Sequence, residues 1–337
     1  MGQNSGVGGV QTIHRNLFNS YRKNGFNVFI IDTLQSLIKC IYKTSFFSNT
    51  KIVFFSGLSL VFSPIFFRVE KHFFFVHGFY IFENINNLKR FLKKFFYEIF
   101  IYIFLFIYRW VYCVAPSPLS GLVNSLQFSK NIYVLPWGVS QEYVNYPLKE
   151  NNYKFHLTFL GRATNQKLNY DDIKVIIERL IESKVVSNID EIKFAFLVPK
   201  INLHLKYIKS KLEKDYNFSL EFFINPSSKQ TAEILSQTLY FFNCYEWEAF
   251  GLSIAEALCM GCNVLIPSTA PILPIIDFYE NQAVYKFNSA NKFNRITFKN
   301  NIILNNQRPS LEIVKFYRDM FKWEKFIDEL DKIDRKK

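Results

Sequence analysis

The sequence predicts an α/β protein of two successive domains, each a parallel sheet flanked by helices. Short apolar runs of strand length alternate with amphipathic segments of helix length, the order that a parallel sheet with crossover helices requires. The alternation is interrupted once, by a polar stretch at Gln141–Lys154 that holds Pro147 and a run of Lys, Glu and Asn, and then resumes. The length, 337 residues, suits two domains of roughly 100–200 residues each.

The first half opens on Gly6-Val-Gly8-Gly9-Val10. Val10, Ile13, Leu17, Phe18 and Tyr21 then fall near one face of a helix, which Gly25 ends. Asn27–Ile31, Lys51–Phe55, Phe73–Val76, Val111–Ala115 and Lys130–Leu135 read as short buried strands. The second half begins with strand Phe155–Leu160 and a helix carrying Ile173, Ile176, Ile177, Leu180 and Ile181 at helical spacing. Strands Ile192–Val198 and Leu220–Ile224 follow, then a helix at Thr231–Leu239 and strands Tyr240–Asn243 and Asn263–Ile266. From Ser310 to Arg335 the pattern is one long helix, with Ile313, Phe316, Tyr317, Met320, Trp323 and Ile327 along one side. The expected boundaries are therefore 1–145, 146–309 and a C-terminal helix at 310–337.

Composition excludes whole classes. With 49% hydrophobic and 20% charged residues, the chain is neither disordered nor a polytopic membrane protein. A net charge of +13 favours anionic partners. Abundant Phe, Ile, Asn and Lys, as an A+T-rich coding sequence produces, account for part of that excess. Basic residues are not interleaved with aromatics in a recognisable module, so nucleic acid is not an expected partner. The five cysteines are odd in number and scattered, and no signal peptide is evident, which reads as a reduced, cytosolic protein. Cys259-Met-Gly-Cys262 is a lone CxxC without a second pair or histidines at ligand spacing, so it reads as a buried helix end and no metal is expected.

Two stretches invite comparison with membrane spans, which need ~20 apolar residues. Ile52–Phe67 is uncharged but short, and contains Gly57 and Pro64; Phe95–Ala115 is interrupted by Glu98 and Arg109. The second stretch is preceded by Lys89, Arg90, Lys93 and Lys94. That flank fits an aromatic helix lying on an anionic membrane surface, while a core helix and a true span stay open.

The chemistry concentrates in four segments. In Glu248-Ala-Phe250-Gly251-Leu252-Ser-Ile-Ala-Glu256, a loop acid precedes a helix start, Gly251 permits a tight backbone, and Glu256 lies just over one turn into the helix. Free N–H groups at a helix N-terminus can receive an anion or sugar hydroxyls, and two carboxylates can accept several hydroxyl hydrogen bonds. In Gly161-Arg162-Ala-Thr-Asn-Gln-Lys167, directly after a strand, a guanidinium fork and a mobile ammonium suit a pyrophosphate. Gly8 and Gly9 let a backbone approach a phosphate closely. His77, in Val76-His77-Gly78, ends a strand and would point into a crevice.

These segments, in this order and spacing, resemble the E-x7-E, G-R…K and Gly-Gly-Val motifs of the retaining GT-B glycosyltransferases, the large family 4 group of bacterial polysaccharide biosynthesis. Val134-Leu-Pro-Trp137-Gly138-Val similarly resembles that family's V-I-P-N-G-V turn, with Trp137 in place of Asn, and Ser117 fits its serine after the preceding strand. Two departures stand out: only Met1–Ser5 precede the glycine loop, where the family has a strand, and Ser268-Thr-Ala-Pro271-Ile-Leu-Pro274 replaces a Gly-rich turn.

The resemblance implies two Rossmann-like domains facing across a cleft, with the C-terminal helix returning to the first. It implies metal-independent, retaining transfer from a nucleotide-diphosphate sugar to a glycan or lipid-linked glycan, with no other cofactor. Arg162, Lys167, Glu248 and His77 would serve the reaction, and Gly8, Gly9, Phe250, Gly251, Leu252 and Glu256 would bind the donor. Surface polysaccharide assembly at the inner face of the plasma membrane is the implied setting. A catalytically inactive GT-B-like binding subunit is the alternative.

Overall fold

The computed structural model describes residues 16–20, 22–23, 52–55, 71–75, 92, 96, 99, 103, 112–118, 132–147, 153–164, 167–216, 219–245, 250–290, 295–298 and 302–335. They divide into two compact units. The N-terminal unit takes the described residues up to Trp137, with Phe250 and 326–335; the C-terminal unit takes 138–245 and 251–325.

In the N-terminal unit, β1 (Ile52–Phe55), β2 (Lys71–Phe75), β3 (Tyr112–Ala115) and β4 (Ile132–Val134) form a parallel sheet in that spatial order. All four residues of β3 are buried. An uninterrupted buried run is the signature of a parallel strand covered on both faces. Phe73 of β2 packs on Tyr112 of β3 with ring centroids 5.3 Å apart.

The C-terminal unit strings together α1 (Gln141–Val144), β5 (Phe155–Leu160), α2 (Tyr170–Glu182), β6 (Lys193–Val198), α3 (Leu203–Asp215), β7 (Ser219–Ile224), α4 (Ser228–Ser236) and β8 (Thr238–Phe242). It continues with α5 (Leu252–Cys259), β9 (Asn263–Pro267), α6 (Leu273–Ile276), β10 (Val284–Ala290), β11 (Arg295–Phe298), α7 (Leu311–Met320) and the start of α8 (Trp323–Arg335), whose residues from Phe326 onward group with the N-terminal unit. Its seven strands lie in the order β11-β10-β9-β8-β5-β6-β7, and only β11 is antiparallel. The chain therefore winds outward through β5, β6 and β7, returns, and winds the other way from β8. The order reverses between β5 and β8, where a buried Thr158–Thr238 hydroxyl pair, 2.7 Å apart, joins the two strands.

Local sequence explains these elements. Ile173, Ile176, Ile177 and Leu180 give α2 its buried face, and the Asn169 side chain caps it by accepting from the Asp171 N–H at 3.0 Å. Ser227 and Gln230 form a reciprocal capping box on α4. On one sheet face Phe194, Phe196 and Phe242 pack with α2 and the buried side of α3; on the other Phe155, Ala195 and Leu197 meet Ile234 of α4.

Two expected features take another form, and α3, α6, β10 and β11 have no counterpart among the elements the sequence predicts. The polar stretch at 141–154 opens with α1, which packs on α4 and α5 inside the C-terminal unit. The single long C-terminal helix is two helices, α7 and α8, broken at Phe321 and Lys322. At the break the Phe321 carbonyl accepts the Val139 N–H at 2.9 Å instead of serving the helix. Gly138 lies so close that a Cβ there would stand 2.7 Å from the Trp323 ring. A backbone strand pressed against the junction thus takes over the hydrogen bond that would continue the helix.

Candidate functional site

In an open doubly wound sheet, ligands bind beyond the carboxyl ends of the strands where the strand order reverses. Here the reversal lies between β5 and β8. The two loops leaving these carboxyl ends hold the two strongest sequence motifs.

The first loop begins at Gly161. Its φ of +148° lies outside the region L side chains favour, and its N–H donates to the Leu197 carbonyl of β6 at 3.0 Å. The Thr164 N–H donates to Arg162 O at 3.0 Å, and the Lys167 and Leu168 N–H groups both donate to Thr164 O at 2.9 Å. The start of α3 braces the back of this loop. Asn202, which caps α3 by accepting from the Leu205 N–H at 2.8 Å, donates through Nδ2 to Ala163 O at 2.6 Å. His204 Nε2 lies 2.7 Å from Leu168 O. Ala163 and Leu168 are buried while Arg162 is exposed, and no described carboxylate pairs with its guanidinium.

The second loop follows β8. Asn243 receives the Tyr245 N–H at 2.8 Å on its side chain, which turns the chain sharply and buries Tyr245. The Lys167 ammonium stands 4.5 Å from the centre of the Tyr245 ring, within cation–π range. That contact joins the two motif loops, which lie 78 residues apart by their numbers in the chain.

The loop then leads into α5. Gly251 is its N-cap in the left-handed conformation, φ +80° and ψ +58°, and no side chain caps the helix. Ile254 and Ala255 donate to Gly251 O at 2.9 and 3.3 Å, which leaves the N–H groups of Leu252 and Ser253 ahead of the ladder. The helix dipole adds partial positive charge there.

Glu256 lies on the second turn and is buried. Burial pushes its carboxyl up to about 8, so at neutral pH it holds its proton. A neutral carboxyl offers one O–H donor besides its acceptor oxygens. Tyr143, from α1, is the aromatic neighbour of this carboxyl. Its phenol is pushed far up by burial and by the Glu256 charge, against a hydrogen bond to the Thr231 side chain.

The far end of α5 is held by two arginines. Arg308, buried, donates to the carbonyls of Gly261 (2.9 Å), Ser236 and Met260, and Arg318 donates to Cys259 O at 2.8 Å. Cations there complement the negative end of the helix dipole. The CxxC lies at the same end. Burial pushes both thiols up, Cys262 to about 12, and each donates to a carbonyl, Cys259 to Tyr317 O and Cys262 to Leu235 O. They are packing groups at a helix end. Among the described residues, no group of three or more His, Cys, Asp or Glu is placed to hold a metal ion, and no described helix is long and apolar enough to cross a membrane.

The structure thus brings Arg162, Lys167, Gly251, Leu252 and Glu256 onto adjacent loops and one helix of a single unit. Phe250 is buried and directly precedes Gly251, but groups with the N-terminal unit. Gly8, Gly9, His77 and Glu248 lie outside the described residues. Sequence reasoning missed Tyr245, Tyr143 and the Asn202–His204 brace. An aromatic next to the E-x7-E segment was the only signal for the first; the other two come from distant parts of the chain and left none.

No protein-family model matches the sequence, and no curated protein matches it. Solved structures do match in fold. Sucrose-phosphate synthase from Thermosynechococcus elongatus aligns over 89% of this chain and 78% of its own, with a TM-score of 0.58 at 13% identity. S. aureus TarM, as a variant in complex with fondaparinux, alpha-GlcNAc-glycerol and UDP, aligns over 88% of this chain with a TM-score of 0.54 at 15% identity. The chain spans 58% of the length of that TarM structure. The fold is that of the GT-B glycosyltransferases.

Proposed function

We propose that this chain is a retaining glycosyltransferase that moves a sugar from a nucleotide-diphosphate sugar to a glycan or lipid-linked glycan acceptor, without a metal ion. One observation supports this above others. At the strand-order reversal, a loop with an arginine and a lysine touches, through Lys167 and Tyr245, the segment that precedes an uncapped helix bearing a buried carboxyl. Cations and free N–H groups suit a diphosphate, and the carboxyl suits ribose hydroxyls.

In this reading Glu256 holds the ribose. Leu252 and its neighbours at the start of α5, with Phe250 and Gly251, hold the donor by backbone contacts. Glu248 and His77 contact the transferred sugar, and Gly8 and Gly9 approach the phosphates; these roles rest on the family resemblance. The bond from the anomeric carbon to the diphosphate oxygen breaks, and a bond to the acceptor oxygen forms on the same face. The acceptor's hydroxyl proton passes to the leaving phosphate oxygen. Arg162 and Lys167 offset the charge that builds on the diphosphate, an interaction stronger in the transition state than in the ground state. Surface polysaccharide assembly on the cytoplasmic side of a membrane is the proposed setting.

Arg162→Ala and Glu248→Ala should each lower transfer by about a hundredfold or more, with an unchanged melting temperature. UDP, which the TarM complex of like fold contains, is the first nucleotide to screen. Full transfer activity in either variant refutes the assignment, and folded protein that binds donor without turnover makes the chain a binding subunit.

A further inference from the structure

The outer corner of the C-terminal unit carries apolar side chains that its own core does not cover. Leu203 is 85% exposed and Tyr207 is 54% exposed. Four residues apart, they share the face of α3 opposite Leu205, Ile208 and Leu212, which are buried in the sheet. Ile201, ahead of the helix, and Ile224, at the end of the edge strand β7, are also exposed. Val198 and Ile224 are register partners, so the end of β7 lies beside the turn that leads into α3.

The charge at the start of this corner has one sign, and the acidic Glu213 and Asp215 come only at the far end of α3. From Pro199 to Leu212 the chain holds Lys200, Lys206, Lys209 and Lys211 and no acidic residue. Lys209 lies over the Phe222 ring at 5.5 Å and reaches Glu213 at 3.5 Å. Lys200 and Lys206 are exposed, and no described carboxylate pairs with either.

We propose that this corner docks the protein on an anionic phospholipid bilayer. Leu203, Tyr207 and Ile224 enter the boundary between headgroups and acyl chains, and the lysines sit among the phosphates. Aliphatic tips, one tyrosine and a basic rim match that interface in both polarity and charge. Four apolar side chains fall well short of the roughly 20–30 residues a side that a stable protein interface uses.

The placement has a consequence for the loop after β5. Leu203 is flanked by Asn202 and His204, the two side chains that brace that loop from behind. Docking through Leu203 therefore holds Arg162 and Lys167 close to the bilayer plane. The docking itself does not depend on the proposed activity.

The test is flotation of the full chain with vesicles of phosphatidylglycerol and, separately, of phosphatidylcholine. The expected result is binding to the anionic vesicles at low salt, weakening as salt rises, and none to the zwitterionic ones. The double variant Leu203→Ser/Tyr207→Ser should bind about tenfold less at any salt, with an unchanged melting temperature because both positions are exposed. Lys200→Glu/Lys206→Glu should lose most of the low-salt binding. Wild-type protein that ignores phosphatidylglycerol overturns the proposal. So does a double variant that floats as well as wild type, since another part of the chain then makes the contact. So does a double variant that only dissolves a dimer, since the face then joins two copies.

Discussion

Substituting Glu256 by Gln should flatten the dependence of stability on pH. The carboxyl ordinarily titrates near 4.5, and burial on α5 moves it to about 8. Between those values the folded chain holds one proton more than the unfolded chain. The folding equilibrium therefore weakens about tenfold per pH unit over that window. Stability from this group is fully present below pH 4.5 and is lost as pH rises through 8, about 5 kcal/mol in all. A typical domain has only ~5–15 kcal/mol to lose. Glu256→Gln keeps the shape and a hydrogen-bonding head but cannot ionise, so its own contribution is level.

The assay is urea unfolding of wild type and Glu256→Gln from pH 5 to 9, reading the difference between the two so that other titrating groups cancel. The gap should open steadily toward alkaline pH. Parallel curves would show that Glu256 is solvated or paired in the folded protein, and the reading of its environment would be wrong. The same logic reaches the proposed donor. Hydroxyls that donate to the carboxylate favour its charged form, so nucleotide binding near pH 7 should release a proton. Calorimetry in two buffers of different ionisation enthalpy measures it.

Other consequences follow from the same geometry. Tyr245→Leu removes the ring beneath Lys167 and should weaken nucleotide affinity by roughly 2–5-fold, while Tyr245→Phe retains it; equal loss in both assigns the effect to the hydroxyl. Gly251→Ala forces a Cβ into the left-handed region at φ +80° and should cost about 1–2 kcal/mol in stability, with a further loss of nucleotide binding; thermal shift with and without UDP separates the two. Arg308→Met leaves three buried carbonyls without their donor and should destabilise by roughly 3–5 kcal/mol. A loss under 1 kcal/mol in urea unfolding would mean that the neighbouring backbone rearranges to satisfy them.

Local information was legible in the sequence wherever it was repeated along a segment. The buried face of α2, the apolar strands β5, β6 and β8, and the start of α5 after Gly251 all follow from periodicity and from a glycine placed where a left-handed turn is needed. So does the placing of both motif loops directly after strands. By contrast α3 was not legible. Its exposed face carries Leu203 and Tyr207 where a solvated helix would carry charge, which blurs the amphipathic signal.

Pairing was not legible. Which strands lie side by side depends on hydrogen bonds between residues far apart in the chain, and nothing near Thr158 specifies that Thr238 will be its neighbour. That pairing of β5 with β8 makes two separate loops into one site and sets Lys167 over Tyr245. The break between α7 and α8 was hidden in the same way, because its cause, the backbone at Gly138 and Val139, lies about 180 residues earlier. The sequence by itself determined the two α/β halves, the motif residues and their chemical kinds. Only the tertiary structure decided that Glu256 is buried beside Tyr143 and so keeps its proton at neutral pH, because a side chain's surroundings depend on which distant segments pack around it.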